Sequence, residues 1–323
     1  MAGFVDLEHG IVTFAPEEPG GPAAWMVSEG RVRLRDVALG EDIAISKLRG
    51  ELTVDGALRD RTGGLTLRGR LLLDTGAFAG RVAEDLTADY TAVRTSEAEG
   101  VLALSDLRAK LYGGSVMAEE VSMQFEPGKA SYHVNAIARE IQLSPLIRPE
   151  GPITHEDDDV DAEGRLDAQI SLVGEFGRSA SRRGTGGFEL HDAYIYRLPV
   201  VFSILNFIDP TTPPSPNAFN FARARFSLVG TRMDLDDILL TGPAITFAGG
   251  GTYYTADGHV SLDLEPRSRR NWTVPVVTPL IDGTASRLVA IQVVGPLGRP
   301  VVNAKSLPGV TDTFREIFQR KKP

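Results

Sequence analysis

The chain has 323 residues, no cysteine and a formal net charge of −9, with 42% hydrophobic and 24% charged residues. The lack of cysteine excludes disulfides, thiolate metal sites and cysteine nucleophiles, and the acidic balance argues against a protein that binds nucleic-acid phosphates through a basic surface. The hydrophobic content is enough for a folded core, and 34 glycines with 20 prolines favour many short strands joined by tight turns.

The N-terminal residues have the pattern of a strand. Residues 1–8 contain neither a basic region nor an apolar stretch of the kind found in targeting segments. Val5, Leu7 and Ile11 instead fall on alternating positions. Because the chain begins within a predicted strand, we expect it to be a piece of a longer protein. The sequence predicts no transmembrane helix, since no uncharged apolar run approaches about 18 residues.

Alternation of apolar and polar residues is the dominant pattern along the chain. Residues 165–172 show it most clearly, and they predict a strand with one apolar and one polar face. Turn signals such as Asp-Gly, Gly-Gly and Pro-Gly lie between alternating runs, and the runs return about every 10–15 residues, which favours antiparallel neighbours. The same alternation recurs at residues 31–34, 65–68, 223–228, 258–264 and 289–293.

Helical segments are few and short. Residues 144–148 and 276–280 each predict about one turn. The apolar run 198–208 begins near Pro199, which suits a first helical turn, and it ends before an Asp-Pro pair that would stop a helix. Residues 309–319 have the pattern of an amphipathic helix at the C-terminus.

A segment rich in proline, glycine and acidic residues divides the chain at residues 149–164. Such residues are poor material for a core and predict a linker. We therefore expect an N-terminal β-rich region, residues 1–148, and a C-terminal β-rich region, residues 165–323. The cluster around His155 in this segment offers ligands for calcium or magnesium, but its spacing matches no EF-hand loop. We interpret it as a solvated loop.

Motifs for catalysis and for phosphate binding are missing from the sequence. It contains neither a Gly-x-Ser-x-Gly elbow nor a His-Glu-x-x-His helix, and neither glycine cluster, 184–187 or 249–251, ends as a P-loop does. We interpret the glycines as relief for a sharp bend or bulge in a sheet. The basic run 178–183 could contact anionic headgroups, but a solvated loop is the simpler interpretation. We expect no enzymatic activity, no metal and no cofactor.

Several segments of the C-terminal region resemble the AsmA-like family in sequence. They are residues 164–174, 186–193, 226–264 and 293–302, and the last is similar to the family's closing pattern V-x-G-x-L-x-x-P-x-V. Residues 109–114, Ala-Lys-Leu-Tyr-Gly-Gly, are similar to AsmA-like repeats. The sequence departs from the family's pattern in two respects, because it lacks an N-terminal anchor and carries the acidic segment.

This resemblance implies an elongated, curved, largely antiparallel sheet that forms an apolar groove, with a few short helices. It implies a non-enzymatic protein on the periplasmic side of the inner membrane, within the cell envelope of a Gram-negative-type cell. Such a protein would bind phospholipid acyl chains and help to transfer phospholipid, supporting outer-membrane assembly, with other envelope proteins as partners. An anchor would be supplied by the full-length protein.

The candidate groove residues are the apolar members of the alternating strands. The alternative function is a structural or assembly module of the envelope that binds protein partners through sheet edges. The same side chains could equally face one another across a closed core, because alternation does not distinguish the two arrangements. The candidates are Leu166, Ala168, Ile170, Leu172, Ala224, Phe226, Leu228, Val260, Leu262, Val289, Ile291 and Val293.

Overall fold

The computed structural model describes residues 4–14, 25–39, 45–59, 64–78, 80–96, 98–147, 163–191, 198–208, 219–243, 246–267 and 290–305. Within these ranges the chain is mainly β, with 17 strands and two short helices. This confirms the predicted fold class. The predicted turn at 276–280, the predicted C-terminal helix at 309–319 and the cluster around His155 lie outside the described residues.

The two helices are those that the sequence predicts, α1 (Leu143–Ile147) and α2 (Pro199–Ile208). Many strands are long, up to 15 residues, whereas the turn signals predict short ones. The strands are β1 (Phe4–Phe14), β2 (Trp25–Leu39), β3 (Ile45–Val54), β4 (Gly56–Arg59), β5 (Leu65–Phe78), β6 (Arg81–Arg94), β7 (Gly100–Leu111), β8 (Gly114–Glu126), β9 (Lys129–Gln142), β10 (Arg165–Glu175), β11 (Arg178–His191), β12 (Phe221–Val229), β13 (Arg232–Thr241), β14 (Thr246–Tyr254), β15 (His259–Arg267), β16 (Ala290–Pro296) and β17 (Val301–Lys305).

The chain divides into two compact units. Unit 1 comprises Met1–Pro152 and Leu166–Gly186, and unit 2 comprises Ile153–Arg165 and Gly187–Pro323. Strand β10 from Leu166 onward and β11 up to Gly186 therefore belong to unit 1, although they follow the predicted linker. The linker itself stays a prediction, because most of residues 149–164 lie outside the described part of the chain.

Unit 1 is an antiparallel sheet. Strand β2 pairs with β1, β3 and β4, and both β3 and β4 pair with β5. Strands β5 to β9 then follow as successive antiparallel neighbours, and β10 pairs with β9. At one end of this last pair the Glu140 N–H donates to Asp167 at 2.8 Å, and at the other end the Phe176 N–H donates to the Ala130 carbonyl at 2.8 Å. These two contacts make β9 and β10 antiparallel.

Several strands are bent by an acidic residue in the left-handed conformation. Asp36, Asp85, Asp106, Glu140 and Asp237 have φ between 50° and 56°. Four of them, all except Glu140, coincide with a shift in strand register, as in a β-bulge. Aspartate tolerates this conformation better than most residues. The residue that follows each acid is aliphatic, and three of these are buried, namely Leu86, Ile141 and Ile238.

One end of the unit 1 sheet is a closed hydrophobic core. Its buried members come from four strands near the bulges and are packed with half-buried neighbours such as Leu34 and Phe78. Because fully burying a leucine contributes about 1.5–3 kcal/mol, this cluster is a main source of stability for unit 1. The buried members are Leu48, Leu73, Ala83, Leu86 and Ala109.

The opposite faces of the unit 1 sheet differ in chemistry. Directly paired residues of antiparallel strands share a face, so the pairing defines rows that cross the sheet. We call one face of the sheet the apolar face and the opposite face the polar face. The first row given below lies on the apolar face, and the second lies on the polar face. One row is Leu67, Ala92, Leu102, Met123 and Tyr132, and the row next to it on the other face is Arg68, Thr91, Ala103, Ser122 and His133.

Ion pairs run between strands on the polar face. Arg33 lies 3.2 Å from Glu51 on the neighbouring strand, and Arg70 lies 2.9 Å from Asp89. Both pairs are partly solvent-exposed, so each contributes no more than about 1 kcal/mol. Their main effect is to give this face a hydrated surface.

Unit 2 has a closed core. Strands β12 to β17 form successive antiparallel pairs. Helix α2 contacts β17 and buries Val201 and Ile204. Near the start of β12, the ring centroids of Phe219 and Phe247 lie 6.1 Å apart, and both side chains are fully buried.

The run 249–251 lies within β14, where a Cβ on Gly249 would fall 2.0 Å from the Asp263 carbonyl oxygen. Its glycines are therefore required by close approach of the neighbouring strand.

Candidate functional site

An open cavity of about 820 Å³ lies in unit 1, at the end of the strands away from the closed core. Its walls extend from β5 to the start of β11, so the apolar face is concave here. Seven strands, β5 to β11, contribute residues to the lining. The apolar lining includes Leu65, Leu67, Ala92, Leu102, Phe125, Ala130 and Phe176.

Strand ends and one turn shape the cavity. Gly100 pairs with Phe125, and Phe125 pairs with Ala130, which places these residues in one row across β7, β8 and β9. Phe176, in the turn between β10 and β11, packs against Tyr132 with ring centroids 5.0 Å apart. Phe176 therefore lines the cavity, and its ring is supported by Tyr132.

The apolar face is more exposed near the cavity than at the closed core. Leu67, Leu102 and Tyr132 are half-buried, whereas Leu73 and Leu86 further along the strands are only 3% exposed. Both groups belong to the same strand faces. The same sheet thus carries a closed core at one end and accessible apolar side chains at the other.

Charged side chains form the rim. The cavity is bordered by three basic residues, Arg94, Lys129 and Arg178, and by three acidic residues, Glu99, Glu126 and Glu175. Glu175 accepts contacts from two of the bases, lying 3.4 Å from Lys129 and 3.1 Å from Arg178. The rim therefore offers polar contacts where an apolar ligand would meet solvent.

The four candidates on β10 lie on the apolar face of unit 1. Leu166, Ala168 and Leu172 are half-buried, and Ile170 is 36% exposed. Gly174 shares their face, and a Cβ there would meet the Tyr132 hydroxyl at 2.7 Å. These candidates therefore continue the apolar face beside the cavity, although they do not line it directly.

The candidates in unit 2 are brought together on one face but are mostly inaccessible. Pairing places Leu262 opposite Val293, and Leu264 opposite Ile291. Phe226 is half-buried, and Val289 lies outside the described residues. The remaining ones are less than 9% exposed: Ala224, Leu228, Val260, Leu262, Ile291 and Val293. Whether any candidate in either unit binds lipid stays a prediction.

The cavity residues themselves were not among the candidates. Alternation at residues 65–68 predicts that Leu65 and Leu67 share one face of a strand. No local sequence pattern predicts that they lie near Phe176, which is more than a hundred residues later. Within the described ranges, no group of His, Asp and Glu side chains is arranged to hold a metal ion. In the same part of the chain, no helix is both long and apolar enough to cross a membrane.

Tyr90 is a titratable group on the apolar face. It pairs with Gly69, and its hydroxyl donates a hydrogen bond of 2.9 Å to the Thr53 carbonyl. Burial, together with the nearby charge of Asp55, raises the pKa of Tyr90 from 10 to about 12.

This shift predicts a loss of stability at high pH. Because the folded state holds the proton more tightly, the stabilisation is complete below about pH 10 and is lost as the pH rises through about 12. We expect the urea midpoint of the native chain to fall more steeply over this window than that of Tyr90→Phe. Parallel pH profiles for the two proteins would contradict this assignment.

No protein family model, no curated protein and no solved structure matches this chain.

Proposed function

We propose that the chain is a non-enzymatic protein that binds phospholipid acyl chains on the apolar face of unit 1 and helps to transfer phospholipid. The observation that carries the proposal is the half-exposed row Leu67, Ala92, Leu102, Met123 and Tyr132, which leads into the open cavity. An apolar row of this kind, with a hydrated face behind it, suits a ligand that must itself be kept from water.

The energetics favour a lipid tail as the ligand. Removing each CH₂ from water contributes about 0.8 kcal/mol, so a tail of about sixteen carbons gains on the order of 12 kcal/mol when it is fully covered. Ligand cavities typically occupy about 300–1,000 Å³, and the cavity of about 820 Å³ falls within this range. It suits the tails of a single lipid. No reacting group is needed for this role.

The cellular setting is part of the proposal. The AsmA-like resemblance of residues 164–174 and 293–302 supports membership of that family, a place on the periplasmic side of the inner membrane and a role in outer-membrane assembly. In that setting, the polar face with its ion pairs would remain in water while the apolar face covers the lipid.

Native mass spectrometry of the purified chain tests the binding. We expect a population with one bound phospholipid, and we expect the delipidated chain to take up phospholipid again from vesicles, because the apolar face is accessible. Organic extraction followed by lipid analysis provides an independent check. A chain that is always free of lipid and does not take it up would contradict the proposal.

A second candidate is an envelope assembly module that binds a protein strand at a sheet edge. It is favoured by the apolar side chain of Val301, which is 58% exposed on β17, a strand of five residues. Persistent absence of lipid, together with loss of protein–protein association when Val301 is replaced by lysine, would favour this candidate over lipid binding.

A further inference from the structure

Two arginines flank Leu65, and one of them, Arg94, belongs to the rim of the cavity. Leu65, which lines the cavity, is paired directly with Arg59 on β4 and with Arg94 on β6. Directly opposite residues share a face, so both arginines lie on the apolar face, on either side of Leu65. Because neighbouring strands are about 4.8 Å apart, the two backbone positions are separated by roughly 10 Å.

Neither arginine is neutralised by a carboxylate in the part of the chain that the structure describes. The Nε of Arg59 is moreover buried without any hydrogen-bond partner there. The other bases of the rim differ, because Lys129 and Arg178 both contact Glu175. Of the remaining acids, Glu126 accepts a hydrogen bond of 2.8 Å from Gln124. A guanidinium group with an unsatisfied nitrogen and no carboxylate beside it is unfavourable, and an anionic ligand nearby would offset its charge.

We propose that Arg59 and Arg94 bind the phosphodiester of a phospholipid whose tails occupy the cavity. The inference rests on the proposed function, since it assigns the headgroup contact of the same site. Guanidinium groups match phosphate oxygens in geometry and remain charged at all physiological pH values. The lipid then enters with its tails first, and its phosphate stays at the mouth beside Leu65, where solvent can hydrate the rest of the headgroup.

The test compares two lipids that carry the same fluorescent acyl chain, a phosphatidylcholine and a diacylglycerol. Phosphatidylcholine has no net charge, so a preference for it reports the phosphate contact and not a general attraction for anions. The native chain should bind phosphatidylcholine at least about tenfold more tightly, because charge-assisted hydrogen bonds to the phosphate are made only with that lipid. Inorganic phosphate at millimolar concentration should not displace it, since the free ion lacks the tails.

The informative variant is Arg59→Gln combined with Arg94→Gln. We expect it to lose the preference for phosphatidylcholine while its affinity for diacylglycerol is unchanged, which also shows that it is folded. The control is Arg68→Gln, which removes one positive charge from an exposed position of β5 on the polar face. This control should retain the preference.

The outcomes separate the two proposals. If the native chain binds neither lipid, the proposed function fails. If it binds both lipids equally, if the double variant keeps the preference, or if inorganic phosphate alone displaces phosphatidylcholine, the arginine assignment is overturned and the proposed function stands.

Discussion

Replacing Ile170 by aspartate is expected to weaken lipid capture more than tenfold while the chain stays folded. Ile170 is 36% exposed on the apolar face of β10, so a carboxylate there keeps its hydration in the free protein. A bound acyl chain would remove that hydration at a cost of about 2 kcal/mol or more, which lowers the affinity more than tenfold. Titration with a fluorescent phospholipid measures the loss, and thermal unfolding measures the stability.

Two further substitutions make this result specific. Ser171→Asp introduces the same charge on the opposite, exposed face of the same strand and should leave binding unchanged. Val293→Asp places the charge in the closed core of unit 2, where the side chain is fully buried, and should unfold that unit. If Ile170→Asp instead loses as much stability as Val293→Asp, Ile170 belongs to a closed core and lipid binding by this face is refuted.

Strands β10 and β15 show which structural features sequence alternation predicts and which it does not. The alternating run at residues 165–172 predicts β10 and the division of its two faces, and the structure has both. Leu166 and Leu262 have equivalent places in their runs, yet Leu166 is half-buried and Leu262 is 6% exposed. The difference arises from what lies over each face, which depends on packing partners that are remote in sequence.

The candidate site depends on strand register in the same way. Arg59 and Arg94 are 35 positions apart and become neighbours only because each pairs with Leu65. Local patterns predict that a strand exists, but they leave open which strands adjoin it and at what offset. A single-residue change of offset would move either arginine to the other face.

The bulges are an exception, because their signal is local. At four of them an acidic residue in the left-handed conformation precedes an aliphatic one within a strand, as in Asp85-Leu86 and Asp237-Ile238. The left-handed residue interrupts the alternation, so that the aliphatic side chain turns into the core. If strict alternation along the strand is assumed, such a pair is treated like any other two residues. The residues that follow it are then assigned to the wrong face of the sheet. The acid–aliphatic pair is therefore the signal that would correct it.

Strand β5 is long enough to extend from the closed core to the open cavity. Strand β5 has 14 residues and therefore spans roughly 46 Å. Leu73 near one end of it belongs to the closed core, and Leu65 at the other end lines the cavity. Because stability comes largely from the core, the cavity end can keep apolar side chains accessible without unfolding the sheet.

Gly69 lies between these two ends, and its replacement by alanine is expected to be strongly destabilising. The added Cβ would fall 1.8 Å from the Thr53 carbonyl oxygen and 2.9 Å from the Tyr90 hydroxyl. The carbonyl belongs to the backbone and cannot rotate away. It also accepts the Tyr90 hydrogen bond, at the position where the neighbour of β5 changes from β3 to β4. Relieving the overlap therefore requires the strands to separate.

We expect Gly69→Ala to lower the free energy of unfolding by about 3 kcal/mol, measured by urea denaturation. The matched control is Gly56→Ala on β4, where the nearest atom to a new Cβ is the end of the Arg68 side chain at 3.9 Å. The control should change stability by less than about 1 kcal/mol. Equal midpoints for the two variants would mean that β5 does not approach Thr53 this closely, and the change of neighbour from β3 to β4 at Gly69 would then be wrong.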